Sequence, residues 1–161
     1  MLQQTRVETV RAYWTRWMNV FPTVATLAAA PQDEVMSLWQ GLGYYRRARL
    51  LHEGARMVME RFQGVLPSDA ATLGTLPGIG RYTAGAIASI AFDEQAPLVD
   101  GNVMRVMGRM AAVGVPMQSA AARKAVWKWA AVWVRGPAPG DRNQALMELG
   151  ATVCTPRAPS C

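Results

Sequence analysis

Apolar residues recur at every third or fourth position along this chain, and no segment sustains alternation at every second position. That periodicity predicts an all-α fold. Val7, Val10, Trp14, Trp17, Met18 and Phe21 make one such stripe, ended by Pro22. In "APQDEVMSLWQGLG", Pro31 suits a first helical turn, Asp33 and Glu34 its positive end, and Gly41 and Gly43 its stop. A longer helix is predicted from Tyr44 to about Phe62, and "LPSDAATLGTL" predicts a short one capped by Ser68. Further helices are expected over about 81–91, 103–113 and 118–134, and in "NQALMELGATV" before a cysteine-containing tail. Tryptophan and methionine at helical spacing read as core.

The stretch "LPGIGRYTAGAIASIAF" places two glycines, Gly78 and Gly80, around one isoleucine and directly before an alanine-rich helix. Inside a helix each would cost about 1 kcal/mol relative to alanine. They suit instead a tight hairpin whose bare backbone meets something closely. Its N–H groups and those of the next helix's first turn would accept an anion, a DNA phosphate above all. An ordinary interhelix turn would use the same residues. The charge balance permits nucleic acid: 17 Lys and Arg face 11 Asp and Glu, giving +6 and a pI near 10.0. All but Lys124 and Lys128 of these cations are arginine, the better fork for phosphate. A solvated basic surface would show the same composition. No run reaches the length of a membrane span, and the first residues lack the pattern of a signal peptide.

Asp100 stands in the apolar loop "LVDGNVMRV", just before a predicted helix. It could cap that helix, or it could stabilise positive charge developing on a sugar. Cys154 and Cys161, with six residues between them near the end, do not form a disulfide framework; a plain thiol pair is the default. The single histidine, His52, reads as a helix-face residue rather than a catalyst.

Taken together, "MLQQTRV", "LWQGLGYYRRARLLH", "LPGIGRYTAGAIASIAF", "VDGNVMRV" and "NQALMELGATVCTPRAPSC" resemble the A/G-specific adenine DNA glycosylases, the MutY family. That family lies in the helix–hairpin–helix superfamily that includes endonuclease III. The resemblance covers essentially the whole chain in order. It implies a two-lobed helix–hairpin–helix glycosylase domain over 1–161, with a six-helix lobe roughly over 5–113 and an iron–sulfur cluster lobe over 114–161. It implies base-excision repair: removal of adenine mispaired with 8-oxoguanine or guanine in double-stranded DNA, by a monomeric enzyme with no membrane partner. The wording is nearer to eukaryotic members, which implies nucleus or mitochondrion.

By the same resemblance, Asp100 matches the catalytic aspartate. Tyr82 stands where strand-cutting relatives carry a catalytic lysine. A tyrosine cannot form the imine that such a lysine forms, so base removal without a lyase step is expected. Gln4 and Tyr44 match residues that wedge into the duplex, with Leu2 and Thr5 in the same lesion-facing segment. Gly78 and Gly80 match the phosphate clamp, and Arg81 follows it. Base extrusion costs a few kcal/mol, of which stacking on an aromatic such as Tyr44 returns about 1–3 kcal/mol. The arginines after Tyr45 are expected to neutralise phosphates of the bent backbone. Without the resemblance, Tyr44 and Tyr45 would read as a staple at a helix start.

The resemblance also implies a 4Fe–4S cluster, for which Cys154 and Cys161 supply two of four ligands. The family's general acid, a glutamate just before "MLQQT", is not in the chain, a loss expected to cost about 10²–10⁴-fold in rate. The two remaining cluster cysteines and the family's C-terminal domain are also not in it. The expectation is a partial sequence, incomplete at both ends. Arg142 takes a place where the family usually has phenylalanine, and is expected to snorkel or to loosen packing. The alternative is a non-catalytic helix–hairpin–helix DNA-binding module, which has no use for Asp100. A basic scaffold for another protein is a third reading. A thymine glycosylase or endonuclease III relative is opposed by "MLQQT", "GLGYY" and Tyr82.

Overall fold

The computed structural model describes residues 1–2 and 5–161; Gln4, one of the expected wedges, lies outside the described residues. All regular structure among these residues is helical. The chain divides into two compact units, Met1–Pro67 with Leu76–Gly78, and Ser68–Thr75 with Ile79–Cys161.

The first unit holds α1 (Val7–Val20), α2 (Val24–Ala29), α3 (Gln32–Trp39) and α4 (Arg46–Phe62). Its core is aromatic at the centre. The Trp17 ring meets Phe21 edge-on at 5.1 Å and Trp39 at 5.6 Å, arrangements that aromatic quadrupoles favour. Val10, Leu27, Val35 and Ala48 close around them. Only part of the expected α1 stripe is core: Val10, Trp17 and Phe21 are buried, whereas Val7 and Trp14 are exposed.

Helix α2 is absent from the sequence reading. At six residues it is too short to show a period, and a local signal starts it instead. Thr23 and Thr26 exchange side-chain and backbone hydrogen bonds at 3.1 Å in a capping box. Arg56 of α4 reaches the carbonyls of Ala28, in the last turn of α2, and of Ala30, just past its end. His52, expected on a helix face, lies on the buried face of α4, and its Nε2 has no hydrogen-bond partner. Burial, then the nearby Arg56 charge, lowers its pKa below the ordinary 6.5.

The second unit holds α5 (Ala70–Leu73), α6 (Arg81–Phe92), α7 (Gly101–Met110), α8 (Ala120–Trp133) and α9 (Pro139–Thr152). The cap of α5 is Asp69, not Ser68: its carboxylate accepts from the Thr72 N–H at 2.8 Å. Helix α7 starts two residues earlier than expected and ends at Met110, because Asp100 itself caps it. Leu98, Val103, Val106, Met107, Val126 and Leu146 form the core. Tryptophan on α8 departs from the core reading, since Trp129 and Trp133 are exposed.

Two close approaches fix the frame. A Cβ on Gly85 of α6 would land on the Pro97 carbonyl oxygen, and one on Gly140 of α9 would come within 2.7 Å of the Ser89 carbonyl oxygen. Buried Asn143 then ties α9 to α6 and the following loop, donating to Ser89 Oγ at 2.8 Å and to the Ala96 carbonyl at 3.0 Å. Arg142, expected to snorkel or to loosen packing, is half-buried. It folds back on the α8–α9 turn, donating to the carbonyls of Pro137 at 3.0 Å and Trp133 at 3.3 Å.

Two outcomes follow for stability. Gly85→Ala should cost about 3 kcal/mol or more in urea unfolding, because rigid backbone occupies the Cβ position. Gly101→Ala, whose Cβ would enter open space, should be neutral or stabilising by up to about 1 kcal/mol. For His52, the folded state holds fewer protons than the unfolded state as pH falls through 6.5, so stability should drop in that window. His52→Leu should flatten the dependence of the urea midpoint on pH between neutral and acidic buffer.

Candidate active site

The loop before α7 is delivered by the Gly85–Pro97 approach, and its last residue is Asp100. The Asp100 carboxylate accepts the Val103 backbone N–H at 2.7 Å through Oδ1 and the Asn102 amide at 3.3 Å through Oδ2. Of the two uses that the sequence left open, the cap is present in the geometry. Oδ1 is spent on a strong cap, while Oδ2 holds a long hydrogen bond and keeps accepting capacity. The half-buried carboxylate also sits at the positive end of α7.

Asn102 is fixed from behind. Its Oδ1 accepts from Arg105 Nη2 at 2.8 Å, and a Cβ on Gly150 would come within 2.6 Å of its Cβ. The Arg105 fork continues to the carbonyls of Gly150 at 2.6 Å and Cys154 at 2.7 Å. Four residues on, Arg109 donates to Cys154 Sγ at 3.1 Å and to the Thr155 carbonyl at 2.9 Å. Two arginines one turn apart thus stitch the cysteine tail to the helix that begins at Asp100. Sequence reasoning missed both, although their i, i+4 spacing in "RVMGR" was visible.

Tyr82, one residue into α6, packs against the same core, and its hydroxyl donates to the Met147 sulfur at 3.6 Å. Burial raises the pKa of this hydroxyl above its ordinary 10.0, and the Asp100 charge adds to the rise. Tyr82 and Asp100 thus lie close enough for the Asp100 charge to act on the phenol. Both lysines lie on α8.

The hairpin glycines differ in what they need. Gly78 has φ +78°, and a Cβ there would come within 2.9 Å of the Leu50 Cβ. Its identity is demanded by the chain itself. Gly80, the cap residue of α6, has an ordinary φ of −84°, and a Cβ there would face open space. Arg81 is exposed and lays its guanidinium over the Trp127 ring, 3.6 Å from the centroid.

In the first unit, Arg47 gathers two of the expected lesion-facing residues, Thr5 and Tyr44. It donates to the Met1 carbonyl at 2.9 Å and to Thr5 Oγ1 at 3.0 Å, and it lies over the rings of Tyr44 and Trp39. Leu2 and Tyr44 are both 58% exposed, so large apolar surface is left for a ligand. Tyr44 also holds φ at 51°, a left-handed conformation that a bulky residue adopts at a cost of about 1–3 kcal/mol. Arg47 corrects the expectation that the arginines after Tyr45 all face phosphates, since its guanidinium is used within the protein. Arg46 and Arg49 remain exposed.

Cys154 is buried and Cys161 exposed, both free thiols. Among the described residues no group of three or more His, Cys, Asp or Glu could hold a metal ion. These two sulfurs fill half of a four-thiolate set, so the residues present do not fit a complete 4Fe–4S site. No helix among the described residues is long and apolar enough to cross a membrane.

Residues 1–131 match the HhH-GPD superfamily base excision DNA repair protein family, and the chain belongs to that superfamily. It is 56% identical over 162 residues to an adenine DNA glycosylase from Rattus norvegicus, a match that spans 100% of this chain and 31% of the relative. The chain thus covers about a third of the length of that curated relative. A solved thermostable thymine-DNA glycosylase superposes with a TM-score of 0.85 at 28% identity, over 99% of this chain and 74% of that one. A trapped endonuclease III–DNA covalent intermediate gives 0.79 at 25% identity, with the same coverages. The all-α helix–hairpin–helix reading and the resemblance to adenine glycosylases both hold.

Arg105→Ala should destabilise the second unit by about 2–4 kcal/mol, because the Gly150 and Cys154 carbonyls and the Asn102 amide oxygen lose their donor together. Arg105→Lys should recover less than half of this, since one ammonium cannot reproduce the fork. Urea unfolding of both variants measures it.

Proposed function

We propose that this chain carries the catalytic machinery of an adenine DNA glycosylase, which removes adenine opposite 8-oxoguanine or guanine by hydrolysing the N-glycosidic bond. The observation that carries the reading is the Asp100 carboxylate, fixed at the mouth of α7 with one oxygen left under-used. In the reaction, the C1′–N9 bond breaks and its electron pair leaves with the adenine, which takes up a proton. Positive charge spreads over C1′ and the ring oxygen of the sugar. Asp100 stabilises that charge until water adds at C1′ and releases a proton. Close, pre-oriented charge of this sort is worth several kcal/mol at a site shielded from water.

Tyr82 bounds the site as a neutral phenol and cannot form an imine with the sugar, which supports a monofunctional enzyme. Thr5 and Tyr44, gathered by Arg47, act with the exposed Leu2 as the surface that enters the duplex and stacks on the vacated space. Gly78 shapes the hairpin, and the open face at Gly80 admits a phosphate to the first N–H groups of α6. Cys154 and Cys161 serve as two of the four ligands of a 4Fe–4S cluster in the whole protein, with 114–161 forming part of the lobe that holds it. The enzyme works as a monomer on double-stranded DNA, in the nucleus or mitochondrion.

The test is single-turnover release of adenine from a duplex carrying adenine opposite 8-oxoguanine, using the full natural polypeptide. Asp100→Asn should lower the rate by at least about 10³-fold while leaving duplex affinity within a few-fold of wild type. Release undiminished in Asp100→Asn would remove the catalytic role. Binding without release by the wild type would leave the DNA-binding module as the better account.

A further inference from the structure

The forty residues from Gly101 to Gly140 contain six cations and no carboxylate. Helix α6 has none either. Three of these cations lie in the first nine residues of α8: Arg123, Lys124 and Lys128, all exposed. Lys124 and Lys128 make no hydrogen bond or ion pair with any described residue. Arg123 spends one nitrogen on the Gln118 carbonyl at 2.7 Å and keeps its other donors. Trp127 projects between them, four residues after Arg123 and three after Lys124, which places all three on one flank of α8.

The Arg81–Trp127 stack joins that flank to the start of α6. A guanidinium lying over an indole at 3.6 Å uses its face in the contact and leaves its in-plane N–H donors free. Arg81 donates to no described residue, so those donors are unused. The indole holds the charge in place, which reduces the side-chain entropy lost when an anion binds. No carboxylate on α6 or α8 competes for it.

We infer that Arg81, Trp127, Arg123 and Lys124 form a second phosphate-binding surface on α8, which extends the DNA footprint beyond the hairpin. The inference rests on the proposed DNA-binding function. Its chemistry is that of backbone recognition: the partner is a run of phosphates on one strand, and the contacts carry no base sequence.

The probe is a fluorescein-labelled duplex bearing adenine opposite 8-oxoguanine, and the readout is anisotropy with the 161-residue chain across 50–200 mM salt. Each lost phosphate contact should lower the slope of log affinity against log salt by about 0.9. The exposed double variant Arg123→Gln/Lys124→Gln should therefore lower it by about two and weaken binding about tenfold near 100 mM. Trp127→Leu, which keeps an apolar filler but removes the stack, should lower it by about one. Gly80→Asp serves as the hairpin control. Aspartate is a good cap residue and its Cβ has room, so the fold is kept while a negative charge meets the hairpin phosphate. If Gly80→Asp weakens binding and the double variant matches wild type in affinity and slope, the α8 surface is overturned and the DNA reading stands. If both bind like a salt-sensitive wild type, neither the hairpin nor α8 carries the contacts and this inference falls; if the wild type itself shows no salt-dependent affinity, the DNA reading and this inference fall together.

Discussion

The Asp100 carboxylate starts α7 and, in the proposed reaction, faces the sugar; it must be held still, and the second unit is organised around that demand. The Asp100 cap on Val103 is worth about 0.5–2 kcal/mol to α7. That cap alone would leave the preceding loop free. The loop is fixed by a glycine on α6 that lets the Pro97 carbonyl come to backbone contact, and by Asn143 holding the Ala96 carbonyl. Behind the carboxylate, Asn102 is trapped between Gly150 and the Arg105 fork. Side chains longer than hydrogen at 85 or 150 would displace the elements that aim Asp100.

The cysteine tail belongs to the same arrangement. Arg105 and Arg109 bind its carbonyls and the Cys154 sulfur, so any change in the order of the tail acts on α7 through two guanidinium groups. These are hydrogen bonds with a charged donor, roughly twice as strong as neutral ones. In the first unit Arg47 plays a comparable part, drawing Thr5, Met1 and Tyr44 to one guanidinium.

The helices, the hairpin and Asp100 were legible because each leaves a local mark: a 3.6-residue period, a Gly-x-Gly turn, an aspartate before an apolar run. What escaped was non-local or too short. Arg47 bonds a residue 46 positions away, and Arg105 one 49 positions away, so nothing beside them in the chain announces the partner. Helix α2 is shorter than the window in which a period can be seen. Trp14 fits the α1 stripe yet is exposed, because periodicity states which residues share a face and not what covers that face. The burial of His52 escaped as well, because a polar ring carries no mark of the pocket that buries it. Asp69 displaced Ser68 by one position, within the ordinary uncertainty of helix ends.

The central claim is that Asp100 stabilises positive charge on the extruded sugar, and it can be measured without the proton transfer that completes the reaction. The 161-residue chain is titrated with two duplexes opposite 8-oxoguanine. One carries a cationic pyrrolidine in place of the adenosine sugar, the other a neutral tetrahydrofuran. Tighter binding of the cationic duplex, on the order of a hundredfold, is expected for the wild type, and Asp100→Asn should abolish the preference. A wild type that binds both duplexes equally, or a preference that survives Asp100→Asn, would contradict the account.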